Sequence, residues 1–268
     1  MIGAILGDII GSRYEFNNTL KYNFPLFGNG CSFTDDTVCT VAIADAILSG
    51  VSYKEKLLEW CNRYPVVQGS YGGRFNAWIH SEDPHPYNSF GNGSAMRVSP
   101  VAWAYDDLED VKREAANTAS CTHNHPEGIK GAVAVAHAIW WFRKEYKQPQ
   151  SLKEILQVRR GFIEAMDQYY PGFSTRKYTK GVFDETCQGT VPLCLQIIAG
   201  ATGFVDAIRL AISHGGDSDT IGAIVGSIAE ARWGVPDKIY AQTLCYLDYE
   251  MFEIIRRFND MCNKVKQK

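Results

Sequence analysis

The chain has 268 residues, 46% of them apolar and 21% charged, with a formal net charge of −3. This length allows one large core or two small ones, and the near-balanced charge gives no electrostatic case for a binder of nucleic acid or acidic membranes. No apolar run reaches membrane-spanning length. The apolar start has no basic leader and is broken by Asp8, so we expect a cytoplasmic protein. The eight cysteines are scattered without a CxxC pair. Disulfides and a zinc–cysteine site are not expected, and Cys31, Cys39, Cys194 and Cys245, set among apolar neighbours, read as buried free thiols.

Residues 2–12 form an apolar helix carrying Gly3, Gly7 and Gly11 at a spacing of four. Each glycine costs about 1 kcal/mol of helix propensity against alanine, so the stripe predicts a second backbone packed on that face. Asp8 within it reads equally as a buried, hydrogen-bonded structural group or as support for a metal ligand. Glu15 follows in a polar loop and by itself reads as a surface acid. Thr34-Asp35-Asp36-Thr37 opens a small, apolar helix running to Leu48. Capping alone would account for one or two of these residues.

A surface helix covers 53–64 and stops at Pro65, and residues 81–88 are loop. Ser89-Phe90-Gly91-Asn92-Gly93-Ser94 is a glycine-rich loop opening a predicted helix from Ala95 to Tyr105. Bared amides at a helix start suit a phosphate, and Phe90 could stack on a base or close the core. Helices follow over Leu108–Ser120 and Glu127–Tyr146, separated by a loop with His123 and His125 that reads as hydrogen-bonding. His137 reads as a core histidine. A helix over 151–170 precedes the least regular stretch, 171–190. Thr190–Ala199 is predicted helical with Pro192 in its first turn, then Phe204–Ser213, Ile221–Trp233, Lys238–Leu247 and Tyr249–Val265, with a fraying Lys-rich tail. The expected fold is all-α, a single domain over 1–268.

The two acidic helix starts, Thr34-Asp35-Asp36 and Asp217-Ser218-Asp219-Thr220, lie more than 180 residues apart. If they face each other, four carboxylates converge. Two unit charges about 4 Å apart repel by roughly 4 kcal/mol at an effective dielectric near 20, which calls for counter-cations. All-oxygen ligation points to Mg²⁺ or Mn²⁺, with Ca²⁺ also open, rather than zinc, and four carboxylates balance two such ions.

Taken together, residues 3–15 (GAILGDIIGSRYE), 34–37 (TDDT), 91–97 (GNGSAMR), 122–123 (TH) and 215–222 (GGDSDTIG) resemble the ADP-ribosylglycohydrolase family, in family order and across the whole chain. The family includes ADP-ribosylarginine hydrolases and the dinitrogenase reductase-activating glycohydrolases. The resemblance implies a compact multi-helix orthogonal bundle with a two-Mg²⁺ centre. Its ligands would be Thr34, Asp35, Asp36, Asp217, Asp219 and Thr220. It implies Glu15 as the catalytic base, with Asp36 as the alternative. Ser89, Phe90, Gly91, Asn92, Gly93, Ser94 and His123 would hold the ADP-ribose; Ser94 stands where many members carry a second glycine. The implied activity is Mg²⁺-dependent cleavage of the bond between ADP-ribose and a protein side chain, with arginine the leading acceptor. Serine, a nucleic-acid base or O-acetyl-ADP-ribose are the alternatives. The other alternative, a non-catalytic ADP-ribose binder or structural relative, would be expected to have lost the acidic residues. We expect a monomer whose partner is the ADP-ribose group of a modified protein or small molecule.

Overall fold

A computed structural model describes residues 1–144 and 151–265. The helices in chain order are α1 (Ile2–Ser12), α2 (Asp35–Ser49), α3 (Tyr53–Arg63), α4 (Gly73–Ile79), α5 (Gly93–Met96), α6 (Ser99–Ala104), α7 (Leu108–Ser120) and α8 (Pro126–Lys144), followed by α9 (Leu152–Asp167), α10 (Cys187–Gly200), α11 (Phe204–Ile212), α12 (Ser218–Trp233), α13 (Asp237–Leu244) and α14 (Tyr249–Val265). Among the described residues the only β pairing is two isolated bridges, Thr34 with Gln68 and Gly91 with Thr186. The fold is all-α, as expected.

The centre of the molecule is the pair α1 and α12. Every residue of α1 is buried, which a helix apolar on all sides requires. The pair is antiparallel and in near backbone contact. A Cβ placed on Gly3, Gly7 or Gly11 would lie 2.2, 1.9 and 2.4 Å from the carbonyl oxygens of Gly226, Gly222 and Ser218. The glycine stripe therefore does what its spacing predicts. This contact fixes the start of α12 beside the end of α1, so Asp217 and Asp219 lie near Glu15. Around the pair, α12 also packs against α8, α10 and α11.

The second acidic helix is held from α1 as well. Asp8 accepts hydrogen bonds from the backbone of Thr34 at 3.0 Å and of Thr37 at 3.1 Å. It thus caps the first turn of α2 from a neighbouring helix. Thr34 adds its own side-chain cap to Asp36 N–H.

Several boundaries differ from the sequence expectations. The predicted helix from Ala95 to Tyr105 is two short ones, α5 and α6, broken at Arg97–Val98. Pro100 lacks an N–H and its ring would clash with the carbonyl four residues back. Helix α10 begins at Cys187, capped by the Thr186 side chain. Pro192 therefore lies inside the helix, not in its first turn; the carbonyl its missing N–H leaves without a partner belongs to Gln188, an exposed residue. The end of the predicted Glu127–Tyr146 helix and the Lys-rich tail lie outside the described residues. All eight cysteines are free. Cys39 and Cys194 are buried as expected, whereas Cys31 is half-buried and Cys245 is exposed.

Candidate active site

A cavity of about 340 Å³ opens where the first turns of α2 and α12 meet the glycine loop, a size typical of small-molecule sites. Its acidic wall is formed by Glu15, Asp35, Asp36, Asp217, Asp219 and Glu185. The two motifs touch directly, the Thr220 hydroxyl donating to Asp36 Oδ2 at 3.2 Å. Carboxylate oxygens of Glu15, Asp217 and Asp219 lie within 4.8 Å of one another. One oxygen each of Asp8, Glu15, Asp36 and Asp219 is buried without a hydrogen-bond partner.

The electrostatics follow from that crowding. Burial, and next the neighbouring Asp217, push the Glu15 carboxyl up to about 7. Asp8, buried with two threonines donating to it, is pushed up to about 6. Burial followed by mutual repulsion raises Asp35, Asp36 and Asp219 well above the usual carboxylate range. Asp217 is raised by burial but relieved by hydrogen bonds, one of them from the Asn92 amide at 2.6 Å. Buried carboxyls that repel one another and leave oxygens unpartnered suit a hard cation. Among the described residues, Glu15, Asp217 and Asp219 are the group placed to hold one.

The loop that carries Glu15 is pinned from both sides. Asn18 donates to the carbonyls of Tyr14 and Gly216 and accepts from the Gly216 N–H. Gly69, in the left-handed region at φ +79°, lies under Glu15; a Cβ there would sit 2.5 Å from its Oε2. No side chain fits at that position without displacing Glu15.

Carboxylates are not the whole lining of the cavity. Arg97 (1% exposed), Arg74 and His123 line it, with Ser89, Gly91, Asn92 and Gly93 of the glycine loop. The loop is stitched to the irregular stretch before α10. Asn92 N–H donates to the Glu185 carbonyl at 2.7 Å and Cys187 N–H to the Phe90 carbonyl at 2.9 Å. Asn92 further donates to Thr190. Its side chain thus braces Asp217, one of the acidic residues, from the loop read as the ADP-ribose holder. At the rim, Phe16 and Phe183 are exposed and stack with ring centroids 6.0 Å apart.

Three residues predicted for the site do not line the cavity. Phe90 packs its ring edge against His125, centroids 5.3 Å apart. Ser94 is fully buried and its hydroxyl donates to the Gly128 carbonyl at 2.7 Å. Thr34 is buried as the α2 cap. The remaining predicted residues, Glu15, Asp35, Asp36, Asp217, Asp219, Thr220, Ser89, Gly91, Asn92, Gly93 and His123, do line it. His125 serves as a helix-start group, its Nδ1 accepting from Glu127 N–H. His137 is a core histidine bonded to the Tyr169 hydroxyl at 3.0 Å. Sequence reasoning missed Glu185, Arg74, Tyr71, Tyr87, Phe16 and Phe183. Arg97 stands in a recognised motif but carried no assigned role. Glu185 and Phe183 lie in the least patterned stretch of the chain, where no periodicity or spacing could have flagged them.

The all-α body thus carries one cavity lined both by carboxylates, a group of which could hold a metal ion, and by two arginines. Comparison places the chain more narrowly: the family model described as ADP-ribosylglycohydrolase matches residues 1–267. The chain belongs to the ADP-ribosylglycohydrolase family, an enzyme family of hydrolases. It is 25% identical to the ADP-ribosyl-[dinitrogen reductase] glycohydrolase of Rhodospirillum rubrum, covering 96% of this chain and 91% of that protein. It is 23% identical to the ADP-ribosylhydrolase ARH3 of Homo sapiens, covering 88% of this chain and 84% of that one. A solved structure of an ADP-ribosylglycohydrolase-related protein complex matches with a TM-score of 0.71 at 23% identity, covering 97% of this chain and 95% of that chain. That structure shares the fold. No helix among the described residues is long and apolar enough to cross a membrane.

Proposed function

We propose that the protein is a Mg²⁺-dependent hydrolase that removes ADP-ribose from a modified protein side chain, with arginine as the acceptor. One observation carries this reading: clustered carboxylates and two arginines line the same cavity. The arginines suit a diphosphate and the carboxylates a cation-assisted ribose. The unpartnered carboxylate oxygens support a hard divalent ion, Mg²⁺ or Mn²⁺, and the carboxylate count supports two. Asp35, Asp36, Asp217, Asp219 and Thr220 would hold them, with Thr34 supporting Asp36 by capping its N–H. When bound, such ions supply charge neutralisation and Lewis acidity toward the ribose hydroxyls and a water.

The chain's own groups do the rest. Ser89, Gly91, Asn92, Gly93 and His123 orient the ADP-ribose, and the ring of carboxylates stabilises positive charge developing on the anomeric carbon. Glu15 accepts a proton from the attacking water as its oxygen bonds the anomeric carbon. The bond to the acceptor breaks, and the same proton passes from Glu15 to the leaving nitrogen. Within this reading the protein works as one domain and as a monomer in the cytoplasm.

The deciding experiment is a panel of ADP-ribosylated arginine peptide, serine peptide, DNA and O-acetyl-ADP-ribose, with and without Mg²⁺, using Asp217→Ala as control. Release of free ADP-ribose from the arginine substrate, lost with EDTA and in the variant, is the expected result. Release from another substrate alone moves the acceptor; full activity in EDTA refutes the metal assignment. ADP-ribose that is bound but never released would place the chain with non-catalytic relatives.

A further inference from the structure

Arg97 is buried and lines the cavity, yet no carboxylate pairs with it among the described residues. Its Nη2 donates instead to the Thr118 carbonyl at 3.1 Å and to Thr122 Oγ1 at 2.7 Å. Thr122 Oγ1 in turn lies 2.7 Å from His123 Nδ1. These contacts determine where the protons sit. A guanidinium has donors only, so Thr122 Oγ1 accepts from it. Thr122 is fully buried, and among the described residues its hydroxyl proton has no acceptor other than His123 Nδ1. The reverse arrangement, Nδ1–H donating to the hydroxyl, strands a buried O–H without a partner, which is costly. With Nδ1 accepting, the ring proton resides on Nε2.

Nε2 is the atom turned toward the glycine loop. A Cβ at Gly91 or Gly93 would come within 3.4 and 3.3 Å of it. Burial, then the charges of Arg97 and Arg74, disfavour the doubly protonated ring. We propose that Arg97 and Thr122 are positioning residues that lock His123 as the neutral Nε2–H tautomer, so that this N–H is donated to an acceptor oxygen of the ligand at the glycine loop. The identity of that ligand, ADP-ribose, rests on the function proposed above; the tautomer does not. His123 is then a fixed neutral donor, and Arg97 serves it through Thr122.

Long-range ¹⁵N NMR correlations of the His123 ring in the ligand-free full chain test the lock directly. The expected pattern at neutral pH is a single tautomer with the proton on Nε2. Thr122→Val keeps the shape and removes the hydroxyl; it should give mixed tautomers and weaken ADP-ribose binding about five- to tenfold by calorimetry, the loss expected for one hydrogen bond. Thr122→Ser should restore both. A wild-type ring protonated on Nδ1, or a Thr122→Val ring still wholly in the Nε2–H form, overturns the proposal, and the wild-type spectrum decides even if the variant does not fold. Unchanged ADP-ribose affinity in a Thr122→Val protein with mixed tautomers removes the ligand contact. Absence of ADP-ribose binding to the wild type refutes the proposed function instead, and leaves the tautomer result intact.

Discussion

Glu15 stands at the junction of the two readings that its position permits. Its carboxylate shares a 4.8 Å cluster with Asp217 and Asp219, yet one of its oxygens is buried without a partner. As general base it would act from within the cluster that could hold a cation. Glu15→Gln should lower turnover by about 10²–10⁴-fold while leaving ADP-ribose affinity nearly unchanged; an active variant would move the base to Asp36. His137 gives a second prediction at this scale, on stability. Burial pushes its imidazole down to about 4 from 6.5. The unfolded chain therefore binds a proton in a range where the folded chain does not. Stability is complete above about 6.5 and falls as the pH drops toward 4, by roughly 3 kcal/mol at full extent. His137→Gln should flatten thermal stability between pH 6.5 and 4 relative to wild type, as read by melting curves. An unaltered slope assigns the acid loss elsewhere.

Two helices decide the site at the scale of elements. The α1–α12 contact has no room for a methyl group: a Cβ on Gly7 would meet the Gly222 carbonyl oxygen at 1.9 Å, and one on Gly222 would meet that of Gly7 at 2.4 Å. Gly7→Ala must push the helices apart. Overpacking typically costs about 1–3 kcal/mol, and for a chain of this size each kcal/mol lowers Tm by roughly 2–4 °C. The expected result is a Tm lower by about 2–12 °C, together with weaker metal binding, because the start of α12 carries Asp217 and Asp219. Gly50, by contrast, ends α2 at φ +67° with open space around its Cβ position. A variant there disturbs a helix end and not the site. Helix α5 ends at Met96, and Arg97 follows it as a buried residue.

Across the whole molecule the acidic wall stores repulsion that a cation relieves. Adding Mg²⁺ in hundredfold excess over its dissociation constant should stabilise the fold by about 2.7 kcal/mol, a rise of roughly 5–10 °C in Tm. EDTA should reverse it, and Asp219→Asn should blunt it. A Tm insensitive to Mg²⁺ and Mn²⁺ alike would count against the metal centre. Arg74 and Arg97 in the same cavity predict a separate increment from ADP-ribose, additive with the first only if the two ligands share no contacts.

The sequence alone determined the helical class, because small and apolar residues recur at helical spacing, with side-chain caps at the starts of α2, α3, α7, α9 and α10, and it named acidic and loop residues that line the cavity. Gly3, Gly7 and Gly11 announced a close backbone partner, and paired aspartates behind threonines exceeded what capping needs. Tertiary structure alone decided that the partner is Gly222 and Gly226, that Asp8 caps α2 from another helix, and that Thr220 reaches Asp36 across 184 residues. It also turned Phe90 and Ser94 away from the cavity and brought Glu185, Arg97 and Phe183 into it. The physical reason is range. Helix propensity, capping and glycine spacing act within one or two turns and are written locally. The direction a loop side chain faces, and which buried charges share a wall, are set by contacts between segments far apart in the chain.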